Sequence, residues 1–243
     1  MKQKPIVIQG ALQSEIDLLL EQVAPCGRRE IGGFVFYEGT LDGYPVVISK
    51  TKMGEIAAAI ATTLAIEHYD PAWILNQGTA GACTRALHVG DMVVGERVCY
   101  LAQYATLANR DTDALNPWKS DGYRSLDGEY ISMSTDARLL AFLRGVEQPL
   151  NGHVVFGTLG SGDVWTRDTA EVDANHARLG VLCESMECTG VYVAANSRGV
   201  PAVSVRVISN NELLGETYEP ESAAVAQRYA VDLVVQWAER GEF

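Results

Sequence analysis

Strands alternate with helices along this chain, without any internal repeat. A short apolar run ends on glycine or on small polar residues, and a stretch with helical spacing follows. Pro5–Gly10 (PIVIQG), Ala72–Gly78 (AWILNQG), Gly152–Asp163 (GHVVFGTLGSGD) and Pro201–Asn210 (PAVSVRVISN) all have this character. Strands without polar alternation are covered on both faces, so helices must pack on each side of the sheet they form. Ser14–Ala24, Gly54–Tyr69, Ser134–Val146, Thr169–Leu179 and Glu219–Arg240 read as those helices, the Ala- and Ile-rich second one as buried. Ser14 is the expected N-cap of the first, with Glu15 and Asp17 in its opening turn, where the helix dipole favours negative charge. Asp91–Tyr100 reads as a strand, Val181–Gly199 as a strand passing into a helix, and Gly78–Ala82 (GTAGA) as a small-residue loop. Gly33–Lys52 reads as a hairpin around a Leu-Asp-Gly turn, which makes the sheet mixed. The expectation is a three-layer α/β/α domain with a central mixed β-sheet, spanning residues 1–243 as a single unit.

Charge and composition narrow the function. A formal net charge of −12 disfavours the basic face that a nucleic-acid backbone or an anionic membrane requires. The five cysteines are irregularly spaced and form no CxxC pair, so neither a zinc site nor a disulfide framework is expected. Buried free thiols in a reducing cytoplasm fit better. The apolar part of the N-terminus is too short for a signal peptide. The uncharged stretch at Ile56–Ile66, 11 residues, is too short to span a bilayer. Residues 106–130 are polar and without period, as expected of a lid or a subunit contact.

In such a sheet the ligand crevice lies at the strand ends. Four of these would meet there: GALQSE (Gly10–Glu15), GTAGA, ESMECTG (Glu184–Gly190) and RVISNN (Arg206–Asn211). They bring carboxylates, a hydroxyl, backbone N–H groups, a guanidinium and an amide together, a set suited to a neutral polar ligand such as a nucleoside.

These stretches, in order along nearly the whole chain, resemble the methylthioadenosine/S-adenosylhomocysteine nucleosidase family. GALQSEIDLL resembles its opening Gly-Ala-Met-x-x-Glu, KMGEIAAAIAT its Gly-Ile-Gly-Lys helix start, and NQGTAGA its Asn-x-Gly-Ser-Ala-Gly loop. HVGDMVV resembles its Val-Gly-Asp-Ile-Val-Val strand, GSGDVW its Ser-Gly-Asp-x-Phe loop, ESMECTGVY its Glu-Met-Glu-Ala stretch, and VRVISN its Val-Arg-x-Ile-Ser-Asp strand. The resemblance implies a nucleoside phosphorylase-like fold, hydrolysis of a purine N-glycosidic bond, no cofactor and no metal. It also implies a homodimer in which a loop closes the neighbour's pocket.

Residue roles follow from the same resemblance. Glu15 matches the acid that activates the attacking water. Glu187 matches the carboxylate that takes the ribose hydroxyls and steadies a cationic ribosyl, with Met186 packed on the sugar. Trp165 matches the aromatic that stacks on the base, and the Thr166 backbone the reader of its edge. Thr79 and Gly81 match the loop beside sugar and water, and Arg206 an arginine near the carboxylates. Leu12 and Met53 match the lining around the 5′ substituent, and Ser209 the residue beside the base-facing position. The four histidines match no catalytic position.

Asn210 departs from the family, which carries an aspartate there to protonate or hydrogen-bond purine N7. An amide cannot serve as that acid, but it can donate to a base oxygen and accept from a ring N–H. In related phosphorylases an asparagine here accompanies bases with oxygen at C6. Three further readings therefore stand beside a methylthioadenosine or S-adenosylhomocysteine nucleosidase. One is a nucleosidase for a 6-oxopurine or deazaguanine nucleoside (futalosine, inosine, queuosine); the alternative to it is that Asn211, Glu212 or a neighbour supplies what Asn210 lacks, or that adenine nucleosides are cleaved slowly. The others are a phosphorolytic enzyme and a non-catalytic nucleoside-binding module. Glu15, where the phosphorylases carry an arginine, favours water over phosphate.

Overall fold

The computed structural model describes residues 3–102, 132–146 and 153–240. The chain opens with β1 (Ile6–Gly10), a 3₁₀ turn (Gln13–Glu15), α1 (Asp17–Gln22), β2 (Ala24–Ile31), β3 (Phe34–Leu41) and β4 (Tyr44–Lys50). Next come α2 (Glu55–Tyr69), β5 (Trp73–Ala82), β6 (Met92–Tyr100), β7 (Ser132–Ser134) and α3 (Ala137–Arg144). β8 (Val154–Ser161), α4 (Thr169–Leu179), β9 (Val181–Ser185), α5 (Cys188–Asn196), β10 (Ala202–Asn210) and α6 (Ala223–Arg240) complete it. The expected candidate lid, residues 106–130, lies outside the described residues.

The sheet is mixed, and part of it closes on itself. β5 pairs with β10, β10 with β6, β6 with β8, β8 with β9, and β9 returns to β5. β1, β4, β3 and β2 extend from the other edge of β5 as an open sheet. Closure depends on a short antiparallel contact, Gly81 opposite Glu184 and Ala82 opposite Cys183. Two of the candidate strand ends are therefore joined directly.

Helices cover both faces. On one face α6 buries Ala226, Tyr229, Ala230, Leu233, Val234 and Trp237, the stripe that a 3.6-residue period produces. Trp237 tilts against Trp73 with ring centroids 5.4 Å apart, and burying side chains of this size contributes about 1.5–3 kcal/mol each. On the other face α2 and α5 pack together through Ala58, Ala61, Ala65, Val191 and Ala195. Small residues let the two helices approach so closely that a Cβ at Gly190 would collide with the backbone carbonyl of Glu55.

Several local expectations change. Ser14 does not cap the first helix: Leu12 precedes the 3₁₀ turn, Ile16 precedes α1, and neither makes a side-chain cap. The turn is instead held by Glu15, whose carboxylate reaches back to Ala11 and Leu12. GTAGA is the continuation of β5 and not a loop, because β9 and β10 give it pairing partners on both edges. α2 is only half buried, with Ile56 75% and Ile60 46% exposed. Cys26 is exposed, whereas Cys83, Cys99, Cys183 and Cys188 are buried free thiols as expected.

Candidate active site

An open cavity lies where the ends of β1, β5, β9 and β10 meet. Leu12, Glu15, Met53, Thr79, Gly81, Trp165, Thr166, Met186, Glu187, Ser209 and Asn210 all line it. Eleven of the twelve candidate residues are thus brought together. The twelfth, Arg206, is buried behind the cavity wall and reaches it only through Glu187.

Glu15 sits at the inner end. Its Oε2 accepts from the backbone N–H of Ala11 at 2.8 Å and of Leu12 at 3.1 Å. Its Oε1 accepts from the Thr79 N–H at 3.0 Å and, less closely, from the Thr79 hydroxyl at 3.3 Å. These donors come from the ends of β1 and β5, so the sheet itself fixes the carboxylate. Gly78 is required beneath it, since a Cβ there would stand 2.7 Å from Glu15 Oε1.

Glu187 is the N-cap residue of α5, but its side chain makes no cap bond. It turns inward, where Met186 N donates at 3.3 Å, Gly54 N at 3.4 Å and Arg206 Nη2 at 3.5 Å. Burial raises its pKa, the Arg206 guanidinium opposes this, and the charge of Glu15 adds to the rise. Arg206 is anchored by Asn76, through Oδ1 at 2.6 Å and the backbone carbonyl at 3.2 Å.

α5 is held in place by residues that the sequence reading passed over. Asp163 Oδ1 accepts from the Glu55 N–H at 2.8 Å and caps α2. The Glu55 carboxylate accepts from Gly190 N and from the Ser161 hydroxyl, and Ser161 Oγ accepts from Thr189 N at 3.2 Å. The ends of α2, β8 and α5 are thereby tied together around Glu187. Burial pushes the Glu55 carboxyl up to about 7 against the lowering bonds from Ser161 and Gly190, with Glu187 and Asp163 adding like charge.

At the outer end Trp165 is 54% exposed and faces Tyr218, ring centroids 6.0 Å apart. It is therefore no core aromatic, and its ring lies at the mouth. The Thr166 N–H, the expected reader of the base, is engaged by Glu184 Oε1 at 2.9 Å, and its hydroxyl by Oε2 at 2.8 Å. The Ser209 hydroxyl lies 3.1 Å from Asn210 Oδ1 and 3.2 Å from the Ala80 carbonyl. Asn211 is committed to structure: its amide donates to the Thr84 and Leu87 carbonyls, and its oxygen accepts from Leu213 N. Glu212 does line the cavity and pairs with Arg167 at 3.4 Å.

Among the described residues lining this cavity none is a lysine, arginine or histidine, while Glu15, Glu184, Glu187 and Glu212 all line it. Among the described residues no group of histidine, cysteine or acid side chains could hold a metal ion. The histidines lie elsewhere: His88 pairs with Glu216 at 2.6 Å, and His176 bonds the Val181 carbonyl at 2.8 Å.

The model of the phosphorylase superfamily matches residues 5–234. A 5′-methylthioadenosine/S-adenosylhomocysteine nucleosidase of Halalkalibacterium halodurans is 30% identical over 206 residues, 84% of each chain. The chain belongs to this nucleosidase family, within the phosphorylase superfamily. The nucleosidase of Colwellia psychrerythraea, solved with adenine, superposes with a TM-score of 0.81 at 25% identity, covering 97% of this chain and 96% of that one. Futalosine hydrolase of Helicobacter pylori shares the fold, with a TM-score of 0.80 at 20% identity over 96% and 98% of the two chains. Family membership fits the wall of the cavity. Asn210 and Glu184 both line the cavity.

Proposed function

We propose that the chain hydrolyses the N-glycosidic bond of a purine nucleoside, releasing free base and a ribose derivative. The observation that carries this reading is the cavity wall itself, which offers four carboxylates and, among the described residues, no lysine, arginine or histidine, the nearest guanidiniums being those of Arg206 behind Glu187 and Arg167 beside Glu212. A phosphate nucleophile would be repelled there, whereas water and a developing ribosyl cation are both accommodated.

Glu15 orients the water and takes its proton. The longest of its four bonds, to the Thr79 hydroxyl, is the one a cavity water replaces, since both residues line the cavity. Glu187 accepts from the ribose diol through charge-assisted bonds and, backed by Arg206, holds negative charge under the sugar as the bond breaks. Met186 packs against the sugar, Leu12 and Met53 surround the 5′ substituent, and Trp165 covers the base. Asn210 donates to N7 or O6 of the leaving base, with Ser209 fixing its amide.

The relatives are named for methylthioadenosine and S-adenosylhomocysteine, both adenine nucleosides. Asn210 favours a base with oxygen at C6, because an amide donor satisfies an oxygen that a carboxylate would repel. Asn211, fixed in its own turn, offers no acid in its place.

A second copy of the chain is the proposed partner. Met53, Ile56 and Ile60 are exposed and form, with Phe34 and Met186, an apolar groove contiguous with the cavity. Among the described residues no helix is long and apolar enough to cross a membrane.

The test is Glu15→Gln, assayed for released base and for nucleoside affinity. Loss of turnover with affinity retained supports the reading. Undiminished turnover removes Glu15 from the mechanism.

A further inference from the structure

The base end of the cavity carries a carboxylate that the roles above leave unused. Glu184 is the Cα partner of Gly81 on one side of β5, and Asn210 is its partner on the other. Side chains of directly paired residues project to the same face of a sheet; the register shifts at Asn210, and its approach to Gly81 is what sets its side chain on that face. With neighbouring strands about 4.8 Å apart, the two backbones stand roughly 10 Å from one another. Gly81 between them has no side chain, and Asn210 Nδ2 would lie only 3.2 Å from a Cβ placed there. The result is a slot with a bare floor, an amide on one wall and a carboxylate on the other, and all three residues line the cavity.

Glu184 has no cation partner among the described residues. Its charged neighbour is Glu171, of like sign, and burial raises its pKa against the two Thr166 bonds. Cys83 and Val172, both buried, lie nearby on the cavity wall. The Thr166 N–H and hydroxyl give one donor to each oxygen, so each keeps a lone pair for a further bond. A carboxylate in such surroundings calls for additional donors, and the cavity is where they can enter.

We infer that Glu184 reads the donor edge of the base, and that the substrate is the nucleoside of a 2-amino-6-oxopurine. The imide N1–H and the exocyclic amino N–H of such a base are adjacent donors, one for each carboxylate oxygen. Asn210 then donates to O6 or N7 at the other wall. Hypoxanthine supplies only one of the two donors. Adenine turns the N1 lone pair towards the carboxylate and is rejected. The inference rests on the nucleosidase reading and sharpens it to one class of base.

Binding of guanosine, inosine and adenosine to the Glu15→Gln protein, with and without Glu184→Gln, tests it by calorimetry. Base release by the unmutated protein is measured alongside. Guanosine binds most tightly, inosine next and adenosine least. Glu184→Gln weakens guanosine about ten- to a hundredfold, the loss typical of a hydrogen bond to a buried charge, and leaves adenosine within about threefold. Glu184→Asp retains the charge and the order at reduced affinity, which separates loss of the acceptor from loss of the fold. Adenosine binding most tightly, or equal weakening of all three by Glu184→Gln, overturns the inference. If the order holds but the unmutated protein releases no base, the nucleosidase reading falls and Glu184 keeps its role. If base is released and the order ignores Glu184→Gln, this inference alone falls.

Discussion

Glu15 shows how one side chain can serve the backbone and the chemistry together. It caps the turn after β1 through Ala11 and Leu12 while lining the cavity beside Thr79. Glu15→Gln must turn an amide NH₂ towards N–H donors, and it loses the proton acceptor. We expect kcat to fall about 10²–10⁴-fold, the range for removal of a general base, with nucleoside affinity little changed. Steady-state kinetics with calorimetric binding checks this. Glu55 makes a prediction of a different kind. Its carboxyl, ordinarily near 4.5, is held at about 7 by burial. Below pH 4.5 it is protonated whether the chain is folded or not. Between 4.5 and 7 the unfolded chain releases the proton and the folded chain retains it, so stability is lost as pH rises, by roughly 3 kcal/mol in all. Glu55→Gln removes that slope, and Tm of the variant relative to the unmutated protein should climb between pH 5 and 8. Parallel pH profiles would contradict it. The cavity residues at the ends of β1, β5, β9 and β10 were legible because they fall in contiguous stretches. Glu55 was legible only as a departure, an acid in KMGE where the resembling stretch has lysine. Glu184 stood inside ESMECTG, but only the pairing with Gly81 shows which wall it occupies.

The elements themselves were mostly plain from the pattern, and the misses share a cause. β2, APCGRREI, has neither an apolar run nor clean alternation, and only pairing with β3 makes it a strand. GTAGA looked like a loop because its residues are small, yet small residues are what lets β9 and β10 crowd both edges of β5. Tertiary pairing outweighed local preference in both cases. The same crowding joins α2 to α5, where Gly190 has no room for a side chain. Gly190→Ala should cost about 1–3 kcal/mol through overpacking and lower Tm by several degrees. Activity should drop as well, because the shift is passed to Glu187 at the start of α5. Thermal unfolding and kinetics on the one variant read both effects. An unchanged Tm would mean that the two helices can separate freely.

For the whole molecule, the exposed groove beside the cavity carries the dimer expectation. Met53, Ile56 and Ile60 are exposed side by side next to the cavity, and a second copy of the chain is the cover proposed for them. Sedimentation velocity should give a dimer for the unmutated protein and a monomer for the Ile56→Glu, Ile60→Glu double variant. The monomer should bind nucleoside more weakly, since Met53 belongs to both the groove and the cavity. A monomeric unmutated protein with full activity would contradict this. The proposed nucleophile is water, because the cavity wall carries four carboxylates and, among the described residues, no lysine, arginine or histidine. The most direct measurement is cleavage of a nucleoside in ¹⁸O-labelled water, with and without inorganic phosphate, followed by mass analysis of the sugar. The account predicts free sugar carrying one ¹⁸O at C1 at the same rate in both conditions. Release that requires phosphate and yields unlabelled sugar 1-phosphate would contradict it.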